Sequence, residues 1–498
     1  MDVEGYISDK PTLMREIQEY LSSYKEDLPK IPNLSISVDS VSCDTQDDLR
    51  KIALHYIESV LYGQNHVCME ALLQKHQLPG YTNVCIPLLH RWKEGYHIDP
   101  LVILSHPEDV ERICKTHIKK APVFEKLLHS SIISTTDNED WQEQRGIMNM
   151  AFIPKLSLQK VFPISRKRAE ACVKIIKEMT EDYTKSLNMS DFFLHETMAQ
   201  LQLSMFGFSE EFQEKTNKRL RNAFSGVNTE YLEEFVEDSL QEVKKATGPL
   251  HKLFGDPDLN KNIGNMLIYA FAGHDTTGHT LTWLLYELCK HPHHKVRLFK
   301  EIDTYWRNHS EPTYDTFTEL PFMTQCITET LRLWPALANG TYRELEHDET
   351  IRGHDGTDVT VPKGTYCQIP NWMRHRSSEL WGSDANVFNP DRTFQDSEIW
   401  NYEGFNTYTV SSERFSPFTY GPRNCIGKNF SQMEMRLILL YLLKHYDFQM
   451  TPKQKATIYN PQYKGLNGFT MGPGSIHMED RGELYGMEMS VMRRNAKM

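Results

Sequence analysis

Cys425 lies in the segment from Phe418 to Gly427, where one thiol is surrounded by Gly421, Pro422, Arg423, Gly427 and an aromatic ring at Phe418. Glycine lets a backbone take positive φ and come close to a flat ligand, and proline fixes one turn. Lys428 to Leu443 reads as a helix. Cys425 therefore sits just ahead of a helix N-terminus, where amide N–H groups and the dipole favour a thiolate over a thiol. Such a sulfur can act as an anionic metal ligand. On residue types alone, an inert buried cysteine in a glycine-rich turn fits at least as well.

A second group, Ala272-Gly273-His274-Asp275-Thr276-Thr277, interrupts an apolar stretch predicted as a helix from Asn260 to Cys289. Gly, Asp and two Thr in mid-helix run against helix propensity, so something other than local stability selects them. A Thr276 hydroxyl can bond the carbonyl of Ala272, four residues back, and loosen the ladder. With Gly273 alongside, that makes a notch where a diatomic ligand and water could lie; Asp275 could instead be a buried structural hydrogen bonder. His274 points roughly 100° around the helix from Asp275 and is not recruited as a ligand. Trp141 and Arg145 share a face at i and i+4, as do Glu329 and Arg332 at i and i+3. A cation–π surface pair and an ordinary ion pair explain them equally.

The Cys425 segment resembles the haem-binding loop of the cytochrome P450 family, Phe-x-x-Gly-x-Arg-x-Cys-x-Gly, with every defining position filled. In that family a Cys thiolate holds haem iron. The resemblance implies haem b with Cys425 as axial and metal ligand, in a loop shaped by Phe418, Gly421, Arg423 and Gly427. It further implies Trp141, Arg145 and Arg343 as donors to haem propionates. Asp275 is implied as the proton relay, and Thr276 as the hydroxyl that orients oxygen and water. Glu329 and Arg332, followed by Phe388-Asn389-Pro390-Asp391-Arg392, resemble the family's buried triad, so Glu329, Arg332 and Arg392 are expected to be structural.

These groups need elements to hold them. Short β-type runs at Val84 to Ile86 and Leu101 to Leu104, a helix opened by His106-Pro107, and a strand and turn over Val359 to Thr365 are predicted. Residues 155 to 250 read as long amphipathic helices, and residues 395 to 417 as an irregular aromatic-rich segment. The expected fold is mainly α with a small β region, the cytochrome P450 fold. A polar helical extension over 1–75 is expected to precede a catalytic domain over 76–498.

Apolar residues make up 39% of the 498 and charged residues 24%, a globular composition, and the net charge of −12 argues against a nucleic-acid partner. Arg166-Lys167-Arg168 and Lys218-Arg219-Leu220-Arg221 read as solvated helix faces. The nine cysteines include no Cys-x-x-Cys pair and suit a reducing compartment. No signal peptide is seen, and no apolar run approaches the roughly 20 residues that span a bilayer. A cytoplasmic place, or one peripheral to an intracellular membrane, is expected.

The resemblance implies monooxygenation of a small lipophilic substrate, with fatty acids or sterols favoured by similarity around Leu331 to Pro335 and in the Asp275-Thr276 helix. Because no Gly-x-Gly-x-x-Gly opens a βαβ unit, electrons are expected from a separate partner, an NADPH-dependent reductase or a ferredoxin type, docking near Arg423 and Lys428. A peroxide-dependent or isomerising enzyme of the same fold, and a non-catalytic haem- or lipid-binding protein, are the other two readings.

Overall fold

The computed structural model describes residues 10–41, 43, 45–92, 95–122, 128–152, 157–225, 228–242, 248–250, 259–400, 412–456, 462–464, 470–476 and 483–494. It is mainly helical with a small β region, as the sequence led us to expect. Apolar residues nearly all round a long helix require that helix to be buried, and the helix Leu259–Lys290 is packed into the main core through Met266, Ala270, Leu281 and Trp283.

A four-stranded sheet is built from β1 (Val84–Trp92), β2 (Gly95–Ile103), β3 (Thr341–Glu344) and β4 (Tyr366–Ile369), in the order β1-β2-β4-β3. The β1–β2 hairpin is antiparallel, β2 runs parallel to β4 with Val102 opposite Cys367, and β3 returns antiparallel with Arg343 opposite Cys367. The helix Pro107–Thr116, opened by proline and two acids, packs Val110 and Ile113 against Val102 and Cys367 of the sheet in a second core.

Five helices carry the site: α1 (Asn138–Asn149), α2 (Met189–Gln200), α3 (Leu259–Lys290), α4 (Pro321–Leu333) and α5 (Lys428–His445). The expected span of α3 is met to within a residue at each end. A π-helical segment, Leu201–Phe206, continues α2. Leu201 packs on Gly273, where a Cβ would stand 2.8 Å from a Leu201 methyl. Trp283 of α3 stacks on Trp334 at the end of α4, centroids 4.0 Å apart and planes 5° from parallel.

The strand and turn expected near Val359 form as Asp358–Val361, with Gly364 at φ +85°. Of the irregular segment expected over 395–417, residues 401–411 lie outside the described residues. Residues 46–75, counted with the extension from sequence, contribute Ile52, Tyr56, Leu72 and Leu73 to the main core. The Tyr56 hydroxyl also donates to Gln368 on β4 at 2.8 Å. Arg168 and Arg221, expected on solvated faces, turn inward instead. Arg168 pairs with the fully buried Glu196 at 2.8 Å, and Arg221 with Asp191 at 2.6 Å. All nine cysteines are free thiols.

Candidate functional site

The loop before α5 is held by its own backbone: the Cys425 amide donates to Phe418 O at 2.8 Å and the Asn424 amide to Gly421 O at 3.1 Å. Gly421 takes φ +75°, and a Cβ there would land 2.3 Å from the carbonyl oxygen of Cys114, so both conformation and contact require glycine. Gly427 does not share this geometry. Its φ is −84°, and it serves as the residue preceding α5, where a Cβ would sit 3.8 Å from the Phe152 ring and 4.0 Å from the Cys425 sulfur. The second left-handed residue of the loop is Thr419, at φ +59°.

Burial pushes the Cys425 thiol upward in pKa, while the amides of Gly427 and Lys428 and the charges of Lys428 and Arg145 pull it down. The amides at the helix N-terminus thus act in the direction expected from sequence, toward the thiolate and against desolvation.

Cys425 faces a cavity of about 240 Å³ lying between its loop and α3. Phe418 and Gly427 line one wall, Ala272, Gly273 and Thr276 the other, and Lys120, Trp141, Arg145 and Arg423 the rim. Lys120 and Arg423 are almost fully buried, and Arg343, just behind on β3, completely so. Burial, then mutual repulsion, pushes Lys120 well below the usual lysine range and Arg423 down to about 9. Arg343 moves the same way through burial.

The contacts of these cations are neutral. Lys120 donates to Thr341 Oγ1 at 2.5 Å, and Arg343 to Thr341 Oγ1 and Tyr342 O at 2.8 and 2.9 Å. Among the described residues Arg423 reaches only carbonyls and the Asn138 amide oxygen at 3.4–3.5 Å. Arg343 Nε and Nη2, and Arg423 Nε, have no hydrogen-bond partner among the described residues. None of Lys120, Arg145, Arg343 and Arg423 forms an ion pair with a carboxylate among the described residues. Buried cations cost several kcal/mol each unless compensated, so the rim fits a ligand bearing carboxylates. A thiol, an apolar slot and that cation set together fit haem.

Arg145 lies at this rim, but its fork holds the loop, donating to Asn424 O and Oδ1 at 2.7 Å each. Trp141 lies under the Arg423 guanidinium at 4.4 Å. Arg423 is therefore an inward-facing residue, and the partner face expected around it is not one it can offer.

On α3 the Thr276 hydroxyl donates to Ala272 O at 2.8 Å, the bond anticipated from sequence. Asp275 points off the cavity. Its Oδ2 accepts from the Thr470 hydroxyl, and His274 Nε2 and His279 Nδ1 each stand 3.7 Å from its oxygens. His274 Nδ1 lies 2.8 Å from Ala270 O, with the ring stacked on Phe224 away from the cavity.

The fully buried Glu329 and Arg332 pair twice, at 2.7 and 2.8 Å. Arg332 also donates to His375 O and Ala385 O. Arg392 reaches Glu329 at 3.3 Å and is held by Asp384 and Trp381 O at 2.8 and 2.7 Å.

Sequence reasoning missed Lys120 and Thr470. Nothing in the residue types of Lys119-Lys120 marks the second lysine as buried, and only the fold shows that it is turned inside. A third group, His117, His347 and Glu349, brings ligand-type atoms together. His117 Nδ1 accepts from the Glu346 amide at 2.8 Å, so its Nε2 carries the proton it gives Glu349, also at 2.8 Å. That is a hydrogen-bonded pair rather than an open ligand set.

The family profile described as Cytochrome P450 matches residues 91–244 and 229–478. The chain is 28% identical over 372 residues to cytochrome P450 3A12 of Canis lupus familiaris, covering 64% of this chain and 70% of that protein. It is 34% identical over 199 residues to cytochrome P450 3A28 of Bos taurus, covering 40% and 36%. With cytochrome P450 3A11 of Mus musculus it is 26% identical over 406 residues, covering 70% and 77%.

Proposed function

We propose, starting from the fact that this chain belongs to the cytochrome P450 family, that it inserts one oxygen atom of O2 into a small lipophilic molecule, with electrons from a separate redox partner. Membership makes it an oxidoreductase with the cytochrome P450 fold, a haem-thiolate monooxygenase carrying haem b on an axial cysteine. In our reading Cys425 is that cysteine, and Lys120, Arg343 and Arg423 hold the carboxylates at the rim, with Trp141 and Arg145 fixing the rim and the loop. When bound, haem supplies the activation of O2.

The protein's own residues do the rest. Phe152, Leu201 and Phe271 keep the cavity apolar and exclude bulk water. Thr276, facing the cavity, orients water or substrate with its hydroxyl, and Asp275 behind it holds a proton. Glu329, Arg332 and Arg392 lock the segment that leads to the Cys425 loop. The observation that carries this reading is a cysteine aimed into an apolar cavity whose rim gathers buried cations that pair with no carboxylate among the described residues.

The electron donor is an NADPH-dependent reductase or a ferredoxin. Fatty acids or sterols are the proposed substrates, and the chain's place is cytoplasmic or peripheral to an intracellular membrane. Among the described residues no helix is long and apolar enough to cross a membrane. The test is a screen of fatty acids and sterols for a shift of the haem absorption band, followed by NADPH consumption and product analysis with each type of partner. A hydroxylated product formed only with a partner present is expected. Turnover with peroxide alone, isomerised product, or binding without turnover would replace this reading by one of the others.

A further inference from the structure

Asp275 stands next to Thr276 in sequence, but the two side chains serve different sides of α3. Thr276 lines the cavity, whereas Asp275 is buried behind it. Its carboxylate is directed by a residue 195 positions away, Thr470, whose hydroxyl donates to Oδ2. Thr470 opens β5 (Thr470–Gly472), and the next residue ties that strand down on both sides. The Met471 amide donates to Ala336 O at 3.0 Å, and Trp283 of α3 donates its indole N–H to Met471 O at 3.1 Å. Two turns of α3 are thus stapled to β5, once through Asp275 and once through Trp283, while Ala336 belongs to the cavity wall.

The neighbouring imidazoles give this placement a direction. His274 Nδ1 lies 2.8 Å from Ala270 O, a carbonyl that can only accept, so Nδ1 carries a proton. Nε2 of the same ring stands 3.7 Å from Asp275 Oδ1. An unprotonated imidazole nitrogen and a carboxylate oxygen both carry lone pairs, so a proton on either group favours their approach. On the Oδ2 side stand Thr470 and, at 3.7 Å, His279 Nδ1. The carboxyl group is therefore held where it can take up a proton from the histidine side, with a hydroxyl as its orienting donor.

We propose that Thr470 is the positioning residue for Asp275, fixing the carboxylate on the histidine side of α3 so that a proton is loaded there before it is passed toward Thr276 and the cavity. This rests on the monooxygenase reading. In a merely structural role, Thr470 would satisfy a buried carboxylate and leave proton delivery unaffected.

The haem-loaded full-length chain, given NADPH and a flavoprotein reductase or a ferredoxin system without added substrate, distinguishes the two by the hydrogen peroxide released per NADPH oxidised. Thr470→Val should raise that ratio at least about twofold, since general-acid delivery contributes far larger rate factors; Thr470→Ser should restore the wild-type value. On an Asp275→Asn background, Thr470→Val should add nothing. An independent readout is infrared: the carboxyl band lost in Asp275→Asn should shift in Thr470→Val and return in Thr470→Ser. Thr470→Ala, which adds no volume, takes the place of the valine variant if that fails to fold.

An unchanged peroxide ratio in Thr470→Val or Thr470→Ala, or a serine variant that behaves like valine, would overturn this inference alone. A wild type that binds haem yet oxidises no NADPH with either partner would overturn the monooxygenase reading and the inference with it.

Discussion

Glu434 is a carboxyl group that the chemistry does not use. It lies on α5, is fully buried, and neither oxygen has a hydrogen-bond partner among the described residues. Burial first, and then the nearby Glu196, push its pKa well above the usual carboxylate range. The folded chain therefore keeps a proton that the unfolded chain gives up near the ordinary value. Between those two pKa values the folded state binds more protons, so stability falls as pH rises, by up to about 1.4 kcal/mol per pH unit from this group. Glu434→Gln should flatten that slope and leave the protein at least as stable at neutral pH. Denaturant unfolding at a series of pH values checks this, and a slope as steep as wild type would show that Glu434 ionises freely. The cations of the rim carry the opposite burden, since Lys120, Arg343 and Arg423 repel one another inside the fold. Nothing in the residue types reveals either fact, because burial is set by the fold and not by Lys, Arg or Glu themselves.

At the scale of elements, the triad joins α4 to the segment before the Cys425 loop. Arg332 donates to the carbonyls of His375 and Ala385 as well as to Glu329, so one guanidinium gathers three stretches of chain. Arg332→Ala would strand the carboxylate of Glu329 in the core and should cost about 3–5 kcal/mol. The expected outcome is a large fall in thermal stability together with loss of haem retention; a variant that melts within a few degrees of wild type would contradict a buried triad.

Much at this scale was legible in the sequence. The apolar flanks of the Asp275-Thr276 group gave α3 its length, and His106-Pro107 with two acids marked a helix start that the structure shows at Pro107. The bond from Thr276 to Ala272 followed from helix geometry alone. The link from Asp275 to Thr470 did not, because a pairing across 195 residues leaves no periodic trace and Thr470 sits in a stretch without a motif. Glycine at 421 and 427 permits positive φ at both, yet Gly427 stays at φ −84° and the left-handed partner of Gly421 is Thr419. Composition alone cannot say which residue of a loop turns.

Across the whole molecule, the main core and the sheet core meet along the site. Cys114, in the sheet core, leaves its carbonyl oxygen against Gly421 of the loop, while Phe152 of the main core faces the other end of that loop at Gly427. The sulfur at 425 is held between two packed bodies rather than by its loop alone, which suits a ligand that must stay still while substrates come and go. The measurement that bears most directly on this is the carbon monoxide difference spectrum of reduced, haem-supplemented protein, compared between wild type and Cys425→Ser. Wild type should give the thiolate-type band and the serine variant should lose it while its helical content stays unchanged. A band of equal position and height in the variant, or a wild type that takes up no haem, would contradict the assignment of Cys425 as the iron ligand.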